Sequence, residues 1–253
     1  MSCYKGLAQI YDALINNDIN YNAWSKVILN NCILQNIEFL DYLDLACGTG
    51  NLTAEISGSF KSTWAVDLSS EMLSEAEAKM RKRELSAKFI CQDICKLNLN
   101  KSFNLITCCL DSTNYILEKN ALENYFNAVY KHLKYDGIFV FDINSYYKLT
   151  EILGNNIFNY DNDGVVYIWD NSLNEEIVDM FLTFFVKEGE LYRRFDEEHT
   201  ERAYSMEYIE TVLDKIGFII INKLDNYKDN NINKKTERIV YVLKKKKNTQ
   251  SNK

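Results

Sequence analysis

Gly48 and Gly50 stand two residues apart in YLDLACGTGNLTAEI (residues 42–56), in a chain with nine glycines and no proline. Glycine has no Cβ, so a ligand can come close to the backbone N–H groups at such a pair. A strand that turns through it into a helix offers donors to an anionic group. Asp67 closes a second apolar run, STWAVDLSS. A carboxylate there can accept hydrogen bonds from both hydroxyls of a ribose. Asp93, in CQDI, closes a third run. A carboxylate beside the Ile94 N–H can read the amino group and a ring nitrogen of an adenine. Three successive strand ends thus offer donors, a ribose acceptor and an adenine reader on one rim, where open α/β sheets bind their ligands. Each residue also has a plainer use: a glycine pair serves any turn that needs positive φ, and an acid before a helix answers its dipole.

Two adenosine cofactors suit this rim, a nicotinamide dinucleotide and S-adenosyl-L-methionine. The dinucleotide fingerprint G-x-G-x-x-G puts its third glycine at position 53, which is Thr53. No second mononucleotide-binding half follows. Candidate bases are few. His132 falls on an amphipathic helix and is expected at the surface. His199 lies beside Glu198 and Glu201, and Tyr115 lies in DSTNYI. His199 and Tyr115 are the candidates for taking a proton from an acceptor. CQDIC lacks a matching second ligand pair, so no metal is expected.

The elements that must position these residues alternate. Residues 1 to 38 read as helical, with Leu7, Ile10, Tyr11 and Leu14 at helical spacing, then Trp24, Val27, Ile28 and Cys32. DYLDLA is a buried strand, NLTAEIS a helix, and STWAVDLSS a strand. Ser70 is the expected N-cap of the next helix, whose last turns carry Lys79, Arg81, Lys82 and Arg83. AKFICQDI and FNLITCCLD are strands, with Cys108 and Cys109 as buried strand residues. Residues 120–133 are an amphipathic helix opened by an Asn120–Glu123 capping box, and GIFVFDI is a fifth strand. Strand and helix alternate from 41 to 143, which argues for a parallel sheet covered on both faces. After 145, VVYIWDN, EIVDMFLTFFVKEG and LYRRFDEEHTERAY read as an antiparallel meander. SMEYIETVLDKIG then returns to helical spacing, and GFIIINKLDNY and ERIVYVLKKK close the chain as strands.

LDLACGTGNLT, VDLSSEML, CQDI, LDSTNYI and LKYDGIFVFDIN, in that order over residues 41–144, resemble the successive motifs of class I S-adenosylmethionine-dependent methyltransferases. The N-terminal YKGLAQIYDALINNDINYNAW and the meander with YRRFDEEHTERAY resemble a bacterial small-molecule subgroup, similar in layout to sugar-amine N-methyltransferases. The resemblance implies an α/β fold: a Rossmann-like, seven-stranded, mostly parallel sheet with a reversed C-terminal strand, plus the inserted antiparallel meander. It implies that Ala46, Gly48, Gly50 and the adjoining backbone hold the methionine moiety. Ala46 stands where the family pattern usually begins with glycine. Asp67 would hold the ribose, Leu68 or Met72 would pack near the adenine, and Asp93 and Ile94 would read its edge. Leu110 and Asp111 would lie near the reacting centre, and Tyr4, Tyr11, Tyr21 and Trp24 would close over the cofactor. Aromatic faces attract a sulfonium and exclude water.

The expected organisation is an N-terminal helical cap (1–40), a cofactor-binding domain (41–144 and 205–246), an inserted substrate or lid subdomain (145–204) and a disordered tail (247–253). The meander's Tyr167, Trp169, Phe184, Tyr192, Arg193, Arg194 and Arg202 suggest a small acceptor of aromatic or acidic character. The formal net charge of −7 argues against a nucleic-acid coat, and no apolar run is long enough for a membrane span. Seven cysteines without regular spacing suggest free thiols in the cytoplasm. The expected partner is a small-molecule methyl acceptor, with a homodimer left open. Two rivals remain: a nicotinamide-dependent oxidoreductase and a non-catalytic cofactor-binding module.

Overall fold

The structure, a computed structural model, describes residues 19–162, 164–228 and 230–246. The helix expected around Leu7–Leu14, with Tyr4 and Tyr11, and the tail over 247–253 lie outside the described residues. The described chain opens on α1 (Tyr21–Leu34), whose Ala23 N–H donates to the Asn20 side chain at 2.9 Å. Then come β1 (Asp41–Leu45), α2 (Asn51–Ser57), β2 (Ser62–Asp67), α3 (Ser70–Lys82), β3 (Lys88–Cys91), β4 (Phe103–Cys108), α4 (Lys119–His132) and β5 (Leu133–Asn144). A π-helical turn (Lys148–Leu153) leads into β6 (Ile157–Asn162), β7 (Val165–Asn174), β8 (Ile177–Glu188) and β9 (Leu191–Arg202). The chain closes through α5 (Met206–Ile216), β10 (Phe218–Asp225) and β11 (Arg238–Lys245).

The large sheet has seven strands in the order β3-β2-β1-β4-β5-β11-β10. Pairs among β1 to β5 are parallel, and β11 runs antiparallel to both its neighbours. The expected mostly parallel sheet with a reversed last strand is therefore present. The strand order turns back between β1 and β4, and that switch point is where an open α/β sheet leaves a crevice for a ligand.

Alternation along each strand builds the two covered faces. Leu43, Leu45, Phe139, Phe141 and Ile143 pack with Leu122, Phe126 and Val129 of α4 and Ile209, Val212 and Leu213 of α5. Their neighbours Tyr42, Ile138, Val140 and Val240 face the other way, onto Trp24 and Ile28 of α1 and Leu52 and Ile56 of α2.

The antiparallel insertion is a separate sheet of four strands in the order β6-β7-β8-β9. Sequence reading found three of these strands. β6 escaped because Asn and Asp, which disfavour strands, fill half of IFNYDN. Pairing with β7 from Ile157↔Asp170 to Asn162↔Val165 holds it in place.

Other local expectations shift. Ser69, not Ser70, caps α3, its Oγ accepting the Met72 N–H at 3.2 Å, because the chain is still extended at Ser69. The Asn120–Glu123 box does not form: α4 begins at Lys119, so Asn120 already lies inside the helix. His132 is buried rather than exposed. Its Nδ1 donates to the Ala128 carbonyl at 2.7 Å and its Nε2 accepts the Leu99 N–H at 2.8 Å, which ties α4 to the approach to β4. The described cysteines are all free, with Cys108 and Cys109 buried as expected. Among the described residues, no helix is long and apolar enough to cross a membrane.

Candidate functional site

The loop after β1 takes left-handed backbone at Ala46 (φ 50°), Gly48 (φ 53°) and Gly50 (φ 75°). A Cβ on Gly50 would lie 2.9 Å from the Ala76 Cβ, so glycine there lets α3 pack directly on the loop. A Cβ on Gly48 would meet nothing within 4 Å, so that side of the loop stands open. Ala46 adopts the conformation that a glycine would take with less strain.

Asp67, at the end of the neighbouring strand β2, joins this loop. Its Oδ2 accepts the Gly48 N–H at 2.8 Å and its Oδ1 accepts the Ser69 N–H at 2.9 Å. Burial raises the Asp67 carboxyl above its usual range, against the pull of those backbone donors. A carboxylate has about four acceptor positions, so lone pairs remain on both oxygens. Lys79 of α3 reaches back to donate to Thr49 Oγ1 at 3.2 Å and to Asn51.

Asp44 lies buried beneath the loop. It accepts hydrogen bonds from Thr53 Oγ1 at 2.5 Å and from Thr107 Oγ1 at 2.7 Å, and burial pushes its carboxyl up to about 6. Thr53, the residue that breaks the dinucleotide fingerprint, thus fastens α2 to β1.

Farther along the rim, Leu68 is 74% exposed while Met72 is buried. Asp93 caps the short 3-10 turn Ile94–Lys96 by accepting the Cys95 N–H at 2.8 Å. The Ile94 side chain packs on the main core.

Across the switch point, the turn after β4 carries Leu110 and Asp111, both with left-handed backbone. Their N–H groups donate to the two oxygens of Asp142 on β5, at 2.9 and 2.7 Å. Arg238 of β11 donates to Asp142 and, at 2.6 Å, to Asp111 Oδ1. Behind them Trp24 of α1 stacks on Tyr227 at 4.1 Å and meets Tyr21 edge-on at 6.1 Å.

The antiparallel sheet covers this end. Asn114, fully buried after β4, donates to the carbonyls of Asn144 (3.1 Å) and Arg202 (3.0 Å), which ties β5 and β9 together. β9 places Glu197, His199 and Glu201 at alternate positions on its buried face. His199 Nδ1 lies 3.4 Å from the Tyr115 hydroxyl, with the rings edge-on. Burial lowers the His199 pKa, opposed by the charges of Glu197 and Asp111, which favours the neutral ring. Glu201 accepts a hydrogen bond from Asn144 Nδ2 at 3.0 Å. Burial and the nearby Asp111 charge push its carboxyl up to about 8.

An aromatic row runs beside these groups: Tyr160 stacks on Tyr167 at 5.0 Å, Tyr167 meets Phe184, and Phe184 stacks on Phe195 at 5.0 Å. The arginines of the insertion are matched locally. Arg193 pairs with Glu188, Arg194 with Asp196, and Arg202 with Glu176.

The structure therefore brings together the 46–50 loop and Asp67 on one side, and Leu110, Asp111, Tyr115 and His199 on the other. Leu68 and Asp93 stand at the outer rim. Asp44, Asn114, Asp142, Tyr227 and Arg238 escaped sequence reading, and Glu201 entered it only as a neighbour of His199. Only the Asp in LDLACG and the Asp in VFDIN could have signalled two of them, as carboxylates inside apolar strands that need buried partners.

Residues 43–137 match the family described as a methyltransferase domain. A provisionally named methyltransferase of Bacillus subtilis, YqeM, is 31% identical over 96% of this chain and 98% of its own length. The crystal structure of an S-adenosylmethionine-dependent methyltransferase from Clostridium acetobutylicum is similar at a TM-score of 0.91 and 54% identity, over 97% of this chain and all of that one. The sugar N-methyltransferase KedS8 from Streptoalloteichus shares the fold at a TM-score of 0.76 and 19% identity, over 93% of each chain.

Proposed function

The chain belongs to the S-adenosylmethionine-dependent methyltransferases, and from that premise we propose that it methylates a nitrogen or oxygen of a small-molecule acceptor held between the strand ends and the buried face of β9. The observation that carries this reading is the meeting of Asp67 with the Gly48 N–H at 2.8 Å, beside the switch point that β9 covers. The loop presents backbone to the methionine end of the cofactor. Asp67 has lone pairs left for the ribose hydroxyls, and Asp93 and the Ile94 N–H read the adenine edge. Met72 and the exposed Leu68 flank the base, and Tyr21 and Trp24 stand on the α1 side. Ala46 and Gly50 shape the loop, and Leu110 and Asp111 stand at the methyl end.

The cofactor supplies an already activated methyl group. Transfer forms a bond from the acceptor nitrogen or oxygen to the methyl carbon and breaks the sulfur–carbon bond in line. The protein then contributes placement, exclusion of water and, for a protonated acceptor, a proton sink. His199 receives that proton directly or through Tyr115 Oη, 3.4 Å away. The covering sheet limits acceptor size, and its aromatic row offers flat apolar surface. The fold's use in a sugar N-methyltransferase makes amino sugars the first amines to try.

The test is release of S-adenosylhomocysteine from full-chain protein given S-adenosylmethionine and a panel of amino sugars, other amines, phenols and carboxylic acids. Acceptor-dependent release that falls at least tenfold in His199→Ala is the expected result. Tight cofactor binding with no release across the panel would replace this reading with a non-catalytic module.

A further inference from the structure

Leu110 and Asp111 leave β4 with φ of 63° and 52°. Left-handed backbone is unfavourable for residues with side chains, so two in succession persist only where their surroundings hold them. Asp142 supplies the hold, because its carboxylate accepts both of their N–H groups, at 2.9 and 2.7 Å. Asp142 is fully buried, and a buried carboxylate must be paired. Tyr227 donates its hydroxyl to Asp142 Oδ2 at 2.6 Å, and Arg238 donates Nη1 to Oδ1.

Arg238 does not spend its whole fork on that one partner. Its Nη2 reaches Asp111 Oδ1 at 2.6 Å and Asn144 Oδ1 at 3.3 Å. Asp111 is thus fixed twice, by its backbone through Asp142 and by its side chain through Arg238. The clamp is itself braced. Tyr227 stacks on Trp24, and the Arg238 guanidinium lies 5.4 Å from the Trp24 ring centroid. The Asp111 charge also acts on His199 and Glu201 of β9. A structural ion pair needs only Asp142 and Arg238; the second branch to Asp111 fixes a carboxylate at the rim of the site.

We propose that Asp142, Arg238 and Tyr227 are positioning residues that act through Asp111: they hold its carboxylate at the cofactor's sulfur end and so set a preference for the cationic methyl donor over its neutral, demethylated product. This rests on the reading above that places Asp111 at the methyl end. The donor's sulfonium carries a positive charge that disappears on transfer, so a fixed carboxylate distinguishes the two ligands by charge alone. Such a preference favours replacement of spent product by fresh donor.

The test is calorimetric binding of S-adenosylmethionine and S-adenosylhomocysteine to the full-chain wild type, Arg238→Lys, Tyr227→Phe, Asp111→Asn and the Arg238→Lys/Asp111→Asn double variant. Lysine keeps the charge but cannot bridge two carboxylates with a planar fork. Arg238→Lys and Asp111→Asn each lower the donor-to-product affinity ratio about tenfold, and Tyr227→Phe lowers it about threefold. The double variant falls no further than Asp111→Asn alone, because both substitutions remove one effect. Equal weakening of both ligands by Arg238→Lys, or multiplication of the two effects in the double variant, overturns the proposal, since a merely structural clamp behaves that way. Should Arg238→Lys fail to fold, Tyr227→Phe carries the same prediction, because the ring can keep its stack on Trp24. Asp67→Ala separates the two readings. If it weakens both ligands while Asp111→Asn leaves the ratio at the wild-type value, the site stands and the clamp's role falls. If it weakens neither, the site itself falls and the clamp's role falls with it.

Discussion

Asp67 divides its carboxylate between the chain and the ligand it is proposed to hold. Backbone donors at Gly48 and Ser69 take one position on each oxygen, at 2.8 and 2.9 Å. Asp67→Ala removes a charged acceptor and also frees the glycine loop, so cofactor binding weakens by about 1–3 kcal/mol, measured by titration calorimetry. Asp67→Asn keeps the shape and one acceptor oxygen and loses less. Unchanged affinity in both would remove Asp67 from the site. Glu201 carries a pH signature. Its native carboxyl sits at about 8 against an ordinary 4.5, pushed there first by burial and then by Asp111. Below the ordinary value both folded and unfolded states are protonated, and the contribution to stability is intact. As pH rises from there through about 8 the unfolded chain releases its proton first, and that stability is lost. The wild-type melting temperature therefore falls more steeply than that of Glu201→Gln over this window, read by thermal melts at stepped pH. Parallel curves would contradict it. His199 works in the opposite sense, since its lowered pKa costs stability as pH falls below its ordinary 6.5, and both proteins share it. Asp67 and the glycines were legible because their types announce themselves at a strand end. Asp142 and Glu201 were not, because their roles come from Arg238 and Asn144, which are close only after folding.

At the scale of elements, β1, the glycine loop and α2 were readable from the apolar run and its glycines. The reason for Thr53 was not: it follows from the buried Asp44 that Thr53 Oγ1 meets at 2.5 Å. The cap of α3 was read to within one residue, and the displaced residue matters. Ser69 both caps α3 and gives its N–H to Asp67. Ser69→Ala removes the cap but keeps that N–H, so it destabilises by about 1 kcal/mol. For a chain of this size that lowers the melting temperature by about 2–4 °C. Cofactor affinity stays within about twofold of wild type. A large affinity loss at unchanged stability would mean that the Ser69 hydroxyl itself touches the ligand. β6 was invisible to pattern reading, since its polar residues are held by pairing with β7 rather than by their own preference.

At the scale of the molecule, two sheets divide the work. The seven-stranded sheet places the ends of β1 and β2 on one side of the switch point and the end of β4 on the other. The four-stranded sheet, entered and left through the end of β5 and the start of α5, lays its buried charged face against the end of β4. Alternation of strand and helix made a mostly parallel sheet legible but not its strand order, since only a short 3-10 turn joins β3 to β4, and the reversed β11 followed from the resemblance. How the insertion packs was not legible, because buried Asn114 settles it by bonding carbonyls of both β5 and β9. The central claim is that neighbouring strand ends of the large sheet hold one methyl donor across the switch point. A crystal structure of the full chain with S-adenosylhomocysteine tests it most directly. The expected result is the ribose hydroxyls on the Asp67 carboxylate, the amino-acid end against the 46–50 loop, and the sulfur facing Leu110 and Asp111. A nucleoside seated elsewhere, with Asp67 bonded only to Gly48 and Ser69, would contradict it.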